Sequence, residues 1–197
     1  MRKANARERI LETAGDLFRK NGYALVGINE IIAKSETAKA SFYQHFTSKE
    51  ILCAEWLKTM HERSVENHQA LLESDLSAER KIRDYFHELR SWLRENDFRG
   101  CPYTNTASML NTEASAIREQ VELHKLFLRD FFVELAQQIN SGVGRSLGTA
   151  LFLLYSGATA EAQNVRDVWP VEAATEAAER LIAQSSSESE EEDVSLL

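Results

Sequence analysis

The chemistry this chain can carry is densest between Ala38 and Lys49, in AKASFYQHFTSK. A helix that enters the major groove of DNA needs small residues where its backbone comes close, long donors for base edges, and hydroxyl or amide donors for phosphates. Ala38, Ala40 and Ser41 supply the close approach, Lys39 has the reach for a guanine edge, and Gln44 is a second donor. Lys49 stands where a long helix begins, at the positive end that attracts anions. Phe42 and Phe46 are assigned to the core. His45 has no second His, Cys or carboxylate beside it at ligand spacing, so no metal is expected.

A second set of residues points to sensing. Cys101, in RGCPYTNTASML, precedes Pro102 and a helix start, where amide dipoles and the neighbouring Arg99 favour a thiolate. It is a candidate sensor of electrophiles or oxidants, and equally a small apolar residue packed at a helix start. Cys53 has apolar neighbours in a long helix and is read as core, and the two cysteines show neither zinc-site spacing nor a disulfide framework. Phe86, Trp92, Tyr103, Phe127, Phe131 and Tyr155 are candidates for lining a small-molecule cavity, or for ordinary core. No Gly-rich phosphate loop, HExxH, GxSxG or acid/base pair appears, so neither catalysis nor a cofactor is expected. An enzyme without a recognisable motif and a helical adaptor using an acidic surface remain the competing classes.

The elements that must position these residues are all helical. Ile10, Leu11, Ala14, Leu17 and Phe18 form one face of a helix over 7–20, ended by Asn21 and Gly22. Ile28, Ile31 and Ile32 mark a short helix over 28–34, and a three-residue break leads to a second over 38–44, the dimensions of a helix-turn-helix. Thr47 and Glu50 read as a capping box for a long helix from Ser48 to Leu72. Further helices are expected at 77–96, 103–111, 113–140, 146–164 and 170–184. From Ser185 the acidic run SSSESEEEDVSLL is expected to be disordered.

With 2 Pro and 8 Gly in 197 residues, the chain has few places to turn into a sheet, and an all-α class follows. No run of 18 apolar residues and no signal-peptide core is present, so a cytoplasmic protein without a membrane partner is expected. The net charge of −8 opposes nucleic-acid binding until its distribution is read. Residues 1–50 carry nine Lys and Arg against six Asp and Glu, whereas residues 51–197 carry fourteen against twenty-five. A basic head on an acidic body suits a DNA reader joined to a sensing domain.

AKASFYQHFTSKEIL, with RERILETAGDLFRKNGY upstream, resembles the DNA-binding domain of the TetR family of bacterial repressors. The resemblance is dense over about the first 50 residues and implies an N-terminal three-helix helix-turn-helix domain at 1–50. It further implies a larger helical domain at 51–184 for effector sensing and dimerisation, followed by the acidic tail at 185–197. Tyr43, His45 and Lys49 match family positions that hold the DNA backbone. The implied partners are double-stranded operator DNA, a second copy of the chain, and a small-molecule or electrophile effector that releases the DNA. One position departs from the pattern: Gly27 stands where relatives commonly have a Thr or Ser that caps the second helix and binds phosphate. RGCPYTNTASML is also similar to a segment of some TetR-like regulators, in which Gly-Cys opens a short helix beside the ligand pocket.

Overall fold

The computed structural model describes residues 5–110 and 115–195, the last eight of these as backbone alone. Among the described residues there are nine helices and no strand: α1 (Ala6–Asn21), α2 (Ile28–Lys34), α3 (Lys39–His45), α4 (Lys49–Leu72), α5 (Ala78–Glu95), α6 (Pro102–Ala107), α7 (Ala116–Ile139), α8 (Gly144–Val165) and α9 (Trp169–Ser195). The expected starts and ends at 111 and 113 fall outside the described residues.

Packing divides the chain into two units. One takes the residues up to Val65 together with Pro102–His124, and the other takes Glu66–Cys101 with the chain from Lys125 onward. The expected boundary at residue 50 coincides with the start of α4, but the first compact unit continues along that helix to Val65 and recovers a later segment.

In the first unit, local signals place the helix ends. Asn5 accepts from the Glu8 amide at 2.9 Å while the Glu8 carboxylate accepts from the Asn5 amide at 2.9 Å, a capping box that satisfies two orphan donors of α1. Gly22 closes α1 with φ +82°, its amide donating to the Phe18 carbonyl at 2.9 Å. The core joins Ile10, Ala14, Leu17 and Phe18 of α1 to Ile31, Phe42, Phe46, Leu52, Trp56 and Leu57. Gly15 is required by that core, because a Cβ there would lie 2.6 Å from the Trp56 indole.

The second unit is a core of α5, α8, α9 and the later part of α7, with Phe86, Leu89, Leu93, Phe132, Leu135, Leu151, Ala162 and Val171 buried in one cluster. Gly144 and Gly148, one turn apart on α8, let its backbone meet that of α7 at Gln137 and Val133. The Gly and Ala content of this stretch therefore serves close packing within the chain. Buried Lys81 lays its aliphatic stem in the core and donates its ammonium to the Leu72 carbonyl at 2.8 Å, closing α4.

The structure corrects two expectations. The α4 cap is Ser48, whose hydroxyl accepts from Ile51 at 3.1 Å, and Glu50 turns away to accept the Ala116 amide at 3.2 Å. Disorder was expected from Ser185, but α9 continues past Gln184 to Ser195, and Ser185 is buried with its carbonyl accepting from Asn140 Nδ2 at 2.9 Å. Extending a formed helix costs little per residue, and the Ser185 and Ser186 hydroxyls bond back to Leu181 and Ile182 carbonyls at 2.9 and 3.1 Å.

Candidate nucleic-acid interface and sensing residues

The α2–turn–α3 pair is held from behind by α1. Arg9 donates to the Ser35 carbonyl at 3.2 Å and to the Glu36 carbonyl at 3.4 Å, pinning the turn between the two helices. Glu36 occupies that turn with φ +51°, a left-handed conformation that a non-glycine residue adopts at a cost. Arg7 stacks over the Phe46 ring, 5.4 Å from its centroid, and pairs with Glu55 at 2.7 Å.

With Phe42 and Phe46 fully buried, α3 turns its other side to solvent. Lys39, Ala40, Tyr43, Gln44 and His45 are exposed and Ser41 is half-buried, so the predicted reading residues share one accessible helix and none is consumed by the core. At about 100° per residue, Ala40 and Gln44 lie most directly opposite Phe42, with Tyr43 and Ser41 flanking them on either side and Lys39 beyond Tyr43. Gly27 caps α2 with no side-chain bond, and nothing lies within 4 Å of the place a Cβ would take.

Lys49 is arranged otherwise than expected. Its Nζ donates to the Tyr23 and Val26 carbonyls at 3.0 Å each and lies 4.4 Å from the centre of the Tyr23 ring. The ammonium thus bridges the start of α4 to the loop between α1 and α2, rather than standing open toward phosphate, and burial lowers its pKa. Sequence reading missed this because the two carbonyls carry no residue-type signal. Below it, burial pushes the Cys53 thiol up to about 12, Lys49 opposing and Glu50 adding to the rise.

The residues proposed for sensing do not form one group. Tyr103 is buried in the first unit, donating its hydroxyl to the Leu57 carbonyl at 3.0 Å and stacking on His124 with centroids 3.8 Å apart. Trp92 is an exposed residue beside Glu88, Ser91 and Glu95 in a shallow groove on α5. Phe127, Phe131 and Tyr155 belong to a polar aromatic cluster in the second unit that the sequence did not reveal. His68 Nε2 meets Tyr85 Oη at 2.8 Å, and its ring stands edge-on to Phe127 and Phe131 at 5.2 and 4.5 Å. Tyr85 in turn lies 4.9 Å from Tyr155. Burial raises the pKa of both phenols, and Cys101 is close enough to add to the rise in each. Phe86 is core, as the alternative reading had it. Cys101 itself is half-buried, at the end of a loop in which Asp97, Phe98 and Gly100 all have positive φ, of 55°, 51° and 65°. The left-handed φ of Gly100 strains any larger residue there, and a Cβ would also have to displace the Gln163 side chain.

An exposed, donor-bearing helix carried behind a tight turn and braced by a third helix defines a helix-turn-helix regulator of transcription. Residues 10–55 match the family described as "Bacterial regulatory proteins, tetR family". Over longer spans the chain is 29% identical, across 71% of each chain, to an HTH-type regulator from the lacX 3' region of Lactococcus lactis. It is 25% identical to the Escherichia coli repressor NemR, across 91% of this chain and 94% of that one. The NemR crystal structure, described as its reduced form, superposes with a TM-score of 0.77, at 20% identity over 90% and 97% of the two chains. A TetR-family regulator from Streptomyces coelicolor superposes with a TM-score of 0.83, at 27% identity over 92% and 96%. Residues 10–55 thus carry a TetR-type helix-turn-helix, and the chain as a whole is similar in sequence and fold to TetR-family DNA-binding transcriptional regulators, which bind operator DNA and dimerise. No described helix is long and apolar enough to cross a membrane.

Proposed function

We propose that this chain is a repressor that lays α3 in the major groove of its operator and lets go when a signal reaches the second unit. The observation that carries the reading is the exposed face of α3, where Lys39, Ala40, Tyr43 and Gln44 present donors and small residues while Phe42 and Phe46 anchor the helix from behind. Lys39 and Gln44 read base edges, Ala40 and Ser41 allow the backbone close, and Tyr43 and His45 hold phosphates. Lys49 acts indirectly, by fixing the loop ahead of α2.

The signal is chemical modification of Cys101 by an electrophile or oxidant. Three supports converge: a half-buried thiol, a lead-in loop with three left-handed residues of the kind found at functional sites, and buried phenols of Tyr85 and Tyr155 nearby. The likeness to NemR, a repressor whose solved structure is described as its reduced form, supports a redox-dependent signal. The experiment is an operator titration before and after treatment with an alkylating agent or hydrogen peroxide. Wild type should lose affinity and Cys101→Ser should keep it. If Cys101→Ser loses affinity equally, the thiol is structural, and a reversible apolar effector among Phe127, Phe131 and Tyr155 becomes the reading, supported by the His68 aromatic cluster.

A further inference from the structure

Pro102–His124 folds back into the unit that carries the recognition helix. Two of its contacts there are polar: the Tyr103 hydroxyl donates to the Leu57 carbonyl, and the Glu50 carboxylate accepts from the Ala116 amide. Another is apolar and falls on the end of α1. Met109 stands in the turn after α6, its amide donating to the Thr106 carbonyl at 3.1 Å. Its side chain covers Gly22, with Cε 3.6 Å and Sδ 4.0 Å from the place a Cβ would take.

Gly22 is a junction in the reading head. Its left-handed backbone ends α1, and its amide is already given to the Phe18 carbonyl. Tyr23 and Val26, whose carbonyls hold Lys49, follow directly, and Gly27 then caps α2. A change in what covers Gly22 therefore acts on the lead-in to the helix-turn-helix.

Met109 is open to such a change. It is 45% exposed, whereas Met60 on α4 is half-buried, so dissolved oxidants have readier access to the Met109 sulfur. With hydrogen peroxide, a sulfur lone pair takes up one oxygen as the O–O bond breaks, and the proton of that oxygen passes to the departing hydroxide, which leaves as water. Sulfur is oxidised and the peroxide reduced. The thioether becomes a polar, chiral sulfoxide whose oxygen needs hydrogen-bond donors. Gly22 has no side chain to supply one and its amide is taken, so the oxygen must turn to water and the apolar cover over the end of α1 is lost.

We propose that Met109 is an oxidation site at which peroxides loosen the segment after α6 from the end of α1 and, given the operator-binding function proposed above, weaken DNA binding without Cys101. Methionine sulfoxide reductases, which return the sulfoxide to the thioether, reverse the change.

The test uses the intact chain carrying Cys101→Ser, treated with hydrogen peroxide and read by peptide mass spectrometry. Gain of one oxygen at Met109 ahead of Met60 is expected; oxidation of Met60 first overturns the site. Operator affinity of the same samples should fall roughly five-fold on treatment and return after incubation with methionine sulfoxide reductases. Met109→Leu in the same background keeps an apolar side chain that takes up no oxygen, and its affinity should not change on treatment. Met109→Gln, polar from the start, should show the weakened affinity with no oxidant. Equal losses on treatment with and without Met109→Leu, or undiminished affinity in protein whose Met109 is oxidised, overturn the device. Absence of operator binding before any oxidant would instead overturn the function proposed above, and the device with it.

Discussion

At the scale of single residues, the proposed function divides α3 side chains that read DNA from side chains such as Lys49 that hold the surrounding loops. Lys39 is exposed on α3, so Lys39→Ala should cost about 1–3 kcal/mol of operator affinity with a smaller loss on random DNA, measured by fluorescence anisotropy on both. Gly27 has ordinary extended backbone, φ −92° and ψ 149°, and open space at its Cβ. Gly27→Thr should therefore raise affinity for all sequences alike and steepen the salt dependence, by adding a hydroxyl at the start of α2 where it can meet phosphate. Cys53 gives a pH prediction with a definite sign. The folded thiol loses its proton near 12, well above the ordinary value, so the contribution of its burial is present below about pH 9 and fades as the pH rises toward 12. Urea unfolding across that range should show an alkaline fall in stability that Cys53→Ala lessens. In the native state, iodoacetamide should label Cys101 and spare Cys53.

At the scale of elements, the helix order and the exposed face of α3 were legible because each rests on local pattern. The 3.6 period in Ile10–Phe18, the short break before α3, and the buried pair Phe42 and Phe46 all follow from residue type and spacing. The hidden features depend on partners distant in sequence. Lys49 looked like a phosphate ligand because the carbonyls of Tyr23 and Val26 that hold it are anonymous in the sequence. Glu50 looked like a capping residue until α7 brought the Ala116 amide to it. Tyr103 and Tyr155 looked alike as candidate pocket residues, yet they serve different compact units. The later part of α9 likewise has a partner that composition does not show, a side-chain amide from the segment between α7 and α8. Asn140 donates to the Ser185 carbonyl, and its oxygen accepts from the Gly142 amide at 2.9 Å. Asn140→Ala should consequently cost about 1–3 kcal/mol in urea unfolding. A chain ending at Gln184 should lose a smaller part of the same stability; no loss in either would mean that α9 draws nothing from this contact.

At the scale of the whole molecule, TetR-family regulators dimerise, and two recognition helices have to stand about 34–36 Å apart to enter successive major grooves. Leu153 on α8 is 62% exposed, Trp169 on α9 is 55% exposed, and Gly157 has nothing within 4 Å of a Cβ position. These apolar and small residues on the last two helices suit a two-fold contact with a second copy of the chain. Leu153→Glu should accordingly yield a monomer by light scattering and reduce operator affinity steeply while α3 stays folded. The charge pattern then sets the central test, because a protein of net charge −8 can hold DNA only through its basic head. The intact protein is titrated against the DNA upstream of its own gene and against random DNA of equal length, across a range of salt. A saturable complex with the upstream DNA, at concentrations where random DNA stays free and with affinity falling steeply as salt rises, is the expected result. Equal binding to the two DNAs at every salt concentration, or none to either, would contradict the assignment of this chain as an operator-binding repressor.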